Sequence, residues 1–296
     1  MEKSKVYFTK TITKEKVVEM FDVLNKELKG NIAIKIHSGE RGNQNFLKPE
    51  FWKPIIDKLG GTVVECNTAY PGSRNHTDIH RRLIKDHGWD KYFAFDLMDA
   101  EGPDMVLPVH NGFILKENYV GKSLKNYDSM IVLAHFKGHP CAGYGGALKQ
   151  LSIGVASTQG KALIHSASKT NSQDECWGEL MASQKDFCES MADAAESVVS
   201  YFNGNIAYIS VMKNISIDCD CCSPAEDPCM EDIGILSSLD PVAIDQACID
   251  LIYSKTNDKG QKHFLERLES LGGIHTVEAA SKLGYGNRVY KLIEIK

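Results

Sequence analysis

From residue 5 to residue 87, short apolar runs of strand length alternate with segments whose apolar residues recur at helical spacing. This alternation constrains the fold more tightly than any other feature. Strands separated by helices are joined by crossovers and pair in parallel. Residues 5–9 (KVYFT), 31–37 (NIAIKIH) and 62–66 read as strands, and residues 15–28, 49–59 and 77–87 as helices. Pro49 suits a first helical position, where a backbone N–H has no intrahelical partner. The pattern predicts an α/β fold with a mostly parallel sheet covered by helices. Residues 1–296 read as one such unit, with two lobes as the alternative.

The middle of the chain changes character. Residues 105–120 hold short apolar runs broken at Asn111-Gly112, a hairpin signal. Residues 129–135 (SMIVLAH) are apolar enough for a central strand and lead into a glycine-rich stretch, 138–154. The longest helical pattern covers 177–202, and 206–212 reads as a strand. Residues 240–253 read as a helix with Asp240 as N-cap and Pro241 at its first position. Two more helical stretches and a strand at 289–295 follow.

The opening MEKSKVYFTK lacks the apolar core of a signal peptide, and no stretch approaches the ~20 apolar residues of a membrane span. The formal net charge is -5 and no basic block stands out, so neither a membrane nor nucleic acid is expected as a partner. The expected setting is the cytoplasm. In a reducing compartment the nine cysteines read as thiols, ligands or buried residues before disulfides.

Four of those cysteines, Cys219, Cys221, Cys222 and Cys229, fall within eleven residues just after a predicted strand. Thiolates are strong ligands for zinc and iron–sulfur clusters, and loops at the ends of α/β strands commonly carry sites. The spacing C-x-C-C-x6-C matches neither zinc C-x2-C pairs nor the ferredoxin run. Adjacent side chains also tend to point apart, which makes Cys221 or Cys222 a bystander. The alternatives are cysteines that pack in a loop and a redox-labile pair.

A second segment stands beyond the predicted central strand: His135, Lys137, His139 and Cys141, then Gly143, Gly145 and Gly146. Glycines let backbone N–H groups approach an anion, and Lys137 could pair with a substrate carboxylate or phosphate. His135 and His139 are candidate acid–base groups or ligands. The run lacks the spacing of a dinucleotide fingerprint or P-loop. The alternative is a tight turn with surface histidines. Arg41, in the loop 37–43, is a candidate anion contact, and the loop 70–75 with Arg74 is a weaker one. His76 and His80 read as surface residues, and His110 and His165 as structural ones.

These segments resemble a family of uncharacterised iron–sulfur-centre proteins, domain of unknown function 362. The matching stretches are KIHSGERGN at 35–43, AHFKGHPCAGYGGALKQLSIGVAS at 134–157, NISIDCDCC at 214–222 and EDIGILSSLDPVAIDQAC at 231–248. The resemblance implies an α/β fold in a prokaryotic cytoplasm and no established reaction. It implies that Cys219 and Cys221 are the shared pair, with Cys222 and Cys229 less typical. Many members look as if they carry a two-cluster ferredoxin insert after the segment matching 160–169. This chain passes straight to a helix there.

The leading expectation is a metal- or iron–sulfur-binding protein, with an enzyme acting on a small anionic molecule beside a centre at Cys219 and Cys221. The cofactor is then an iron–sulfur cluster or zinc. The alternatives are a non-catalytic carrier or assembly protein and a zinc-stabilised scaffold. Oligomeric state is not readable.

Overall fold

The computed structural model describes residues 3–296. In chain order the elements are β1 (Ser4–Thr9), α1 (Lys14–Asp22), β2 (Ile32–Lys35), α2 (Pro49–Leu59), β3 (Thr62–Glu65), α3 (Thr77–Asp86) and β4 (Phe95–Leu97). Then come β5 (Met105–Pro108), β6 (Glu117–Val120), β7 (Ser129–His135), β8 (Lys137–His139), β9 (Gly143–Gly145), α4 (Ala147–Leu151) and α5 (Thr158–His165). The chain continues through α6 (Gln184–Phe202), β10 (Ile206–Met212), β11 (Gly234–Ser238), α7 (Pro241–Ser254), α8 (Gln261–Ser270), α9 (Ile274–Leu283) and β12 (Tyr290–Glu294).

Eight strands form one sheet in the order β12-β1-β11-β10-β7-β2-β3-β4. β11 alone runs against its neighbours, and the other pairs are parallel. The expected fold class is therefore observed. Alternation along the central strands feeds two apolar layers. Met130, Val132 and Ala134 of β7 join one layer with α6, α7 and α9. Ile131 and Leu133 join the other with α1 and α2. Each of these side chains larger than alanine stabilises by about 1.5–3 kcal/mol on burial, and both faces of β7 are used. No helix among the described residues is long and apolar enough to cross a membrane.

Boundaries differ from expectation where local chemistry overrides periodicity. α1 stops at Asp22 because Asn25 takes a positive φ of 47°; Leu24 and Leu28 are buried from a non-helical stretch. α6 starts at Gln184, where Ser183 accepts from the Asp186 N–H, so residues 177–183 lie outside it. The hairpin expected at Asn111-Gly112 is β5–β6, with residues 109–116 as its connection. The glycine-rich stretch expected as loop begins with a second hairpin, β8–β9.

Asp245 of α7 is buried and connects two layers. It accepts the N–H groups of Ala147 at 2.8 Å and Leu148 at 2.9 Å, and the Tyr144 hydroxyl at 3.1 Å. It thereby caps α4 from outside and fixes the helix that carries Lys149. Burial pushes this carboxyl up to about 6, against the pull of its N–H donors. Asp245→Ala should strand these donors and cost about 2–4 kcal/mol in urea unfolding, a large loss for one buried polar group.

Candidate metal centre

The carboxyl ends of β2, β3, β7 and β10 lie side by side, and the loops leaving them are tied together by buried charge. Arg74 donates from Nε to Glu40 at 3.2 Å, from Nη1 to Glu65 at 3.0 Å and from Nη2 to the Tyr70 hydroxyl at 2.6 Å. His80 completes Glu65, with Nε2 3.1 Å from its second oxygen. Burial alone would raise the Glu65 carboxyl, but Arg74 and His80 outweigh it and hold it well below the usual carboxylate range. The loop after β10 joins this network: Glu40 N–H donates to Asp220 O at 2.8 Å, and Asn43 Nδ2 donates to Cys219 O and Cys222 O.

Asp220 itself is buried between His135 and Lys137. Its Oδ2 lies 3.1 Å from His135 Nδ1, and Lys137 Nζ donates to Oδ1. His135 Nε2 donates to Lys213 O at 2.5 Å. Burial works against the Asp220 charge, yet Lys137 and His135 hold the carboxyl far below its ordinary value. His135 and Lys137 thus close on one carboxylate and are not among the residues that line the cavity described below.

On either side of Asp220, Cys219 and Cys221 meet His139. One ligand atom from each of these three residues lies within 4.8 Å of the others. His139 comes from β8, about 80 residues earlier in the chain. Its Nε2 is 3.6 Å from Cys221 Sγ, and its Nδ1 accepts N–H groups from Cys141 at 3.1 Å and Ala142 at 2.9 Å. Burial lowers His139 and His37 to about 4 each, so both rings are neutral at pH 7. Lys149 Nζ is 3.5 Å from Cys219 Sγ. Burial opposes its charge, but Cys219 and Cys221 prevail and raise the ammonium above its ordinary value.

The other residues singled out from sequence have distinct surroundings. Cys222 reaches the same cavity as Cys221, because a turn from Cys222 N–H to Cys219 O bends the backbone between them. Cys229 lies apart: its N–H donates to Ile215 O, and it packs against the larger apolar layer. Arg41 is exposed and pairs with Asp86 at 2.7 Å. Gly143, Gly145 and Gly146 border hairpin and helix contacts. A Cβ on Gly146 would sit 2.5 Å from Asp245 Oδ1, so the N–H groups there serve an internal carboxylate.

A cavity of about 280 Å³ opens beside the Cys–His group. Its lining includes Lys35, Lys149 and Lys161, which sequence reasoning passed over, and His165, which it read as structural. Lys35 follows Ile34 in β2 and so faces the opposite side of the sheet, with His37 two residues on. Burial lowers it to about 8, against the Glu65 charge. A lysine inside the apolar run NIAIKIH was the available signal, since such strands are buried on both faces.

Glu65→Gln should cost about 3–5 kcal/mol at pH 7 by leaving Arg74 underpaired. The wild-type carboxyl is depressed on folding, so its stabilisation is present above the unfolded value near 4.3 and fades as pH falls below it. Urea midpoints at pH 7 and pH 3 should therefore show a smaller variant effect in acid.

No curated protein matches this sequence. Two solved structures show a weak likeness: the lactate racemase apoprotein from Thermoanaerobacterium thermosaccharolyticum, at 15% identity and TM-score 0.43, and a Thermotoga maritima protein, at 14% and 0.42. The first alignment covers 69% of this chain and 50% of that one, the second 91% and 59%. This chain thus spans about half the racemase's length. Residues 32–250 match the family described as Domain of unknown function (DUF362), and the chain belongs to that family.

Proposed function

We propose that the protein binds a metal through Cys219, Cys221 and His139 and uses that centre on a small anionic molecule held in the adjoining cavity. The observation that carries this reading is the meeting of two thiols and an imidazole, all within 4.8 Å, from segments far apart in sequence. Tetrahedral zinc with Zn–S bonds of ~2.3 Å keeps its donors ~3.8 Å apart, so the group is of suitable size. Three protein donors leave one position open, as in catalytic rather than structural zinc sites. A zinc ion there would supply Lewis acidity at the cavity wall. An iron–sulfur centre would draw on further thiolate, and Cys222 and Cys141 line the same cavity.

Within this reading His135, Lys137 and Asp220 orient the cysteine loop, while His139 is a ligand and His37 is the neutral imidazole available to substrate. We also take residues 1–296 as one unit, because β1 and β12 pair in the same sheet as the central strands.

The protonation of His139 favours a second reading. Its Nδ1 accepts two N–H groups, so the neutral ring carries its proton on Nε2, aimed at Cys221. Against a hydrogen bond to Cys219, Cys222 and burial push the Cys221 thiol up to about 12, so the thiol beside Lys149 that would act without a metal is Cys219. Metal and acid-labile sulfide in anaerobically purified protein decide between the readings. The metal reading predicts on the order of one ion per chain, retained in Cys229→Ser and lost in the Cys219→Ser, Cys221→Ser double variant. Equal metal in wild type and double variant contradicts it. Metal-free wild type with a fast-alkylating Cys219 supports the thiol reading.

A further inference from the structure

Lys35 and Lys161 are buried and Lys149 is half-buried around one cavity, and among the described residues none has a carboxylate oxygen within the 4.0 Å of a salt bridge. We propose that the cavity seats a small organic molecule bearing a compact oxyanion, gripped by Lys35, Lys161 and His165 and turned toward Lys149 and the Cys219–Cys221 pair. The inference deepens the metal reading by naming what the neighbouring cavity holds, but its lysines belong to β2, α4 and α5 rather than to the cysteine loop.

An ammonium has three N–H donors, and the partners found here leave some of them over. Lys161 Nζ donates only to Ala156 O, at 2.5 Å. Lys149 Nζ has only Cys219 Sγ. Lys35 Nζ donates to Ile36 O and to Gln150 Oε1. His165 stands one helical turn after Lys161 on α5, stacked on Phe187 and tilted against Trp177 with ring centroids 4.7 Å from each, and its ring makes no hydrogen bond among the described residues.

The nearby acids are already committed. Glu65 serves Arg74 and His80, and Asp99 accepts the N–H groups of Asn67 and Thr158. Buried charges without partners are costly, and several like charges around one cavity more so. An oxyanion resolves this, because lysines act as separate point charges that can converge on it. Arg74, the forked alternative, is filled by Glu40 and Glu65.

Trp177, Ile153, Pro140 and Ala69 give the wall an apolar part as well. A bare ion would leave that wall wet, so the occupant carries an apolar body. The volume of 280 Å³ corresponds to about nine waters, which suits a small metabolite and not a macromolecular segment.

The test is calorimetric binding of inorganic phosphate and of succinate at low chloride, on full-length protein purified anaerobically. Three further variants are titrated beside it: Lys161→Met, Lys35→Met and Cys219→Ser. One of the two probes should bind wild type and identify the oxyanion as phosphate or carboxylate. Each lysine variant that folds should bind it at least about tenfold more weakly, or ~1.4 kcal/mol. Cys219→Ser removes a proposed metal donor and no lysine, and so separates the metal reading from this one. Failure of both probes to bind, or wild-type affinity in both lysine variants, overturns the proposal. Metal lost with anion binding intact bears on the metal reading alone, and metal present with no anion binding overturns only this inference.

Discussion

The buried contact of Asp220 with Lys137 and His135 sets the geometry of everything at the sheet edge. Taking these charges out of water costs several kcal/mol per ion, and the cost is offset only when the partners meet. The loop after β10 therefore has one favourable position. With Asp220 drawn toward Lys137, its neighbours Cys219 and Cys221 are turned together toward His139. The Arg74–Glu40–Glu65 cluster repeats this logic for the loops after β2 and β3 and fastens them to the same cysteine loop through the Glu40 N–H.

The parallel sheet then decides what these loops enclose. Strands running the same way bring their carboxyl ends to one edge, the usual location of ligands in α/β folds. Side-chain alternation in β2 sends Ile34 and Ile36 into one apolar layer and Lys35 toward the cavity. On the opposite wall, Asp245 holds α4 so that Lys149 reaches Cys219. Soft sulfur donors and hard ammonium groups consequently border the same small volume. That combination suits a ligand with an anionic end and a reactive end placed beside the thiols.

Much of the fold was legible because periodicity and capping agreed. α2 spans the expected residues, with Pro49 in its first turn, and β7 spans the apolar run that suggested a central strand. α7 has Asp240 accepting from Val242 and Ala243 N–H groups, the cap read from sequence. β11 was missed because GILSS has neither strand propensity nor clear alternation; it is a strand because β1 and β10 flank it. The candidate site was legible only in pieces. Cys219, Cys221 and His139 stood out as residue types, but their convergence is tertiary. The glycine run suggested an anion cradle, and Asp245 from α7 occupies that role. Lys35 stood inside an apolar strand, a signal that could have been read, whereas Lys149 and Lys161 were illegible because their placement beside the cavity is a property of the folded chain, not of their spacing.

The central claim is that thiol and imidazole donors from distant segments share one ion. X-ray absorption at the metal edge, on anaerobically purified protein, tests this most directly. The account predicts a shell with two sulfur donors at ~2.3 Å and one nitrogen donor at ~2.0–2.1 Å, losing its sulfur component when Cys219 and Cys221 become serine. A bound metal with no sulfur in its shell, or one whose sulfur shell persists in that variant, would contradict it.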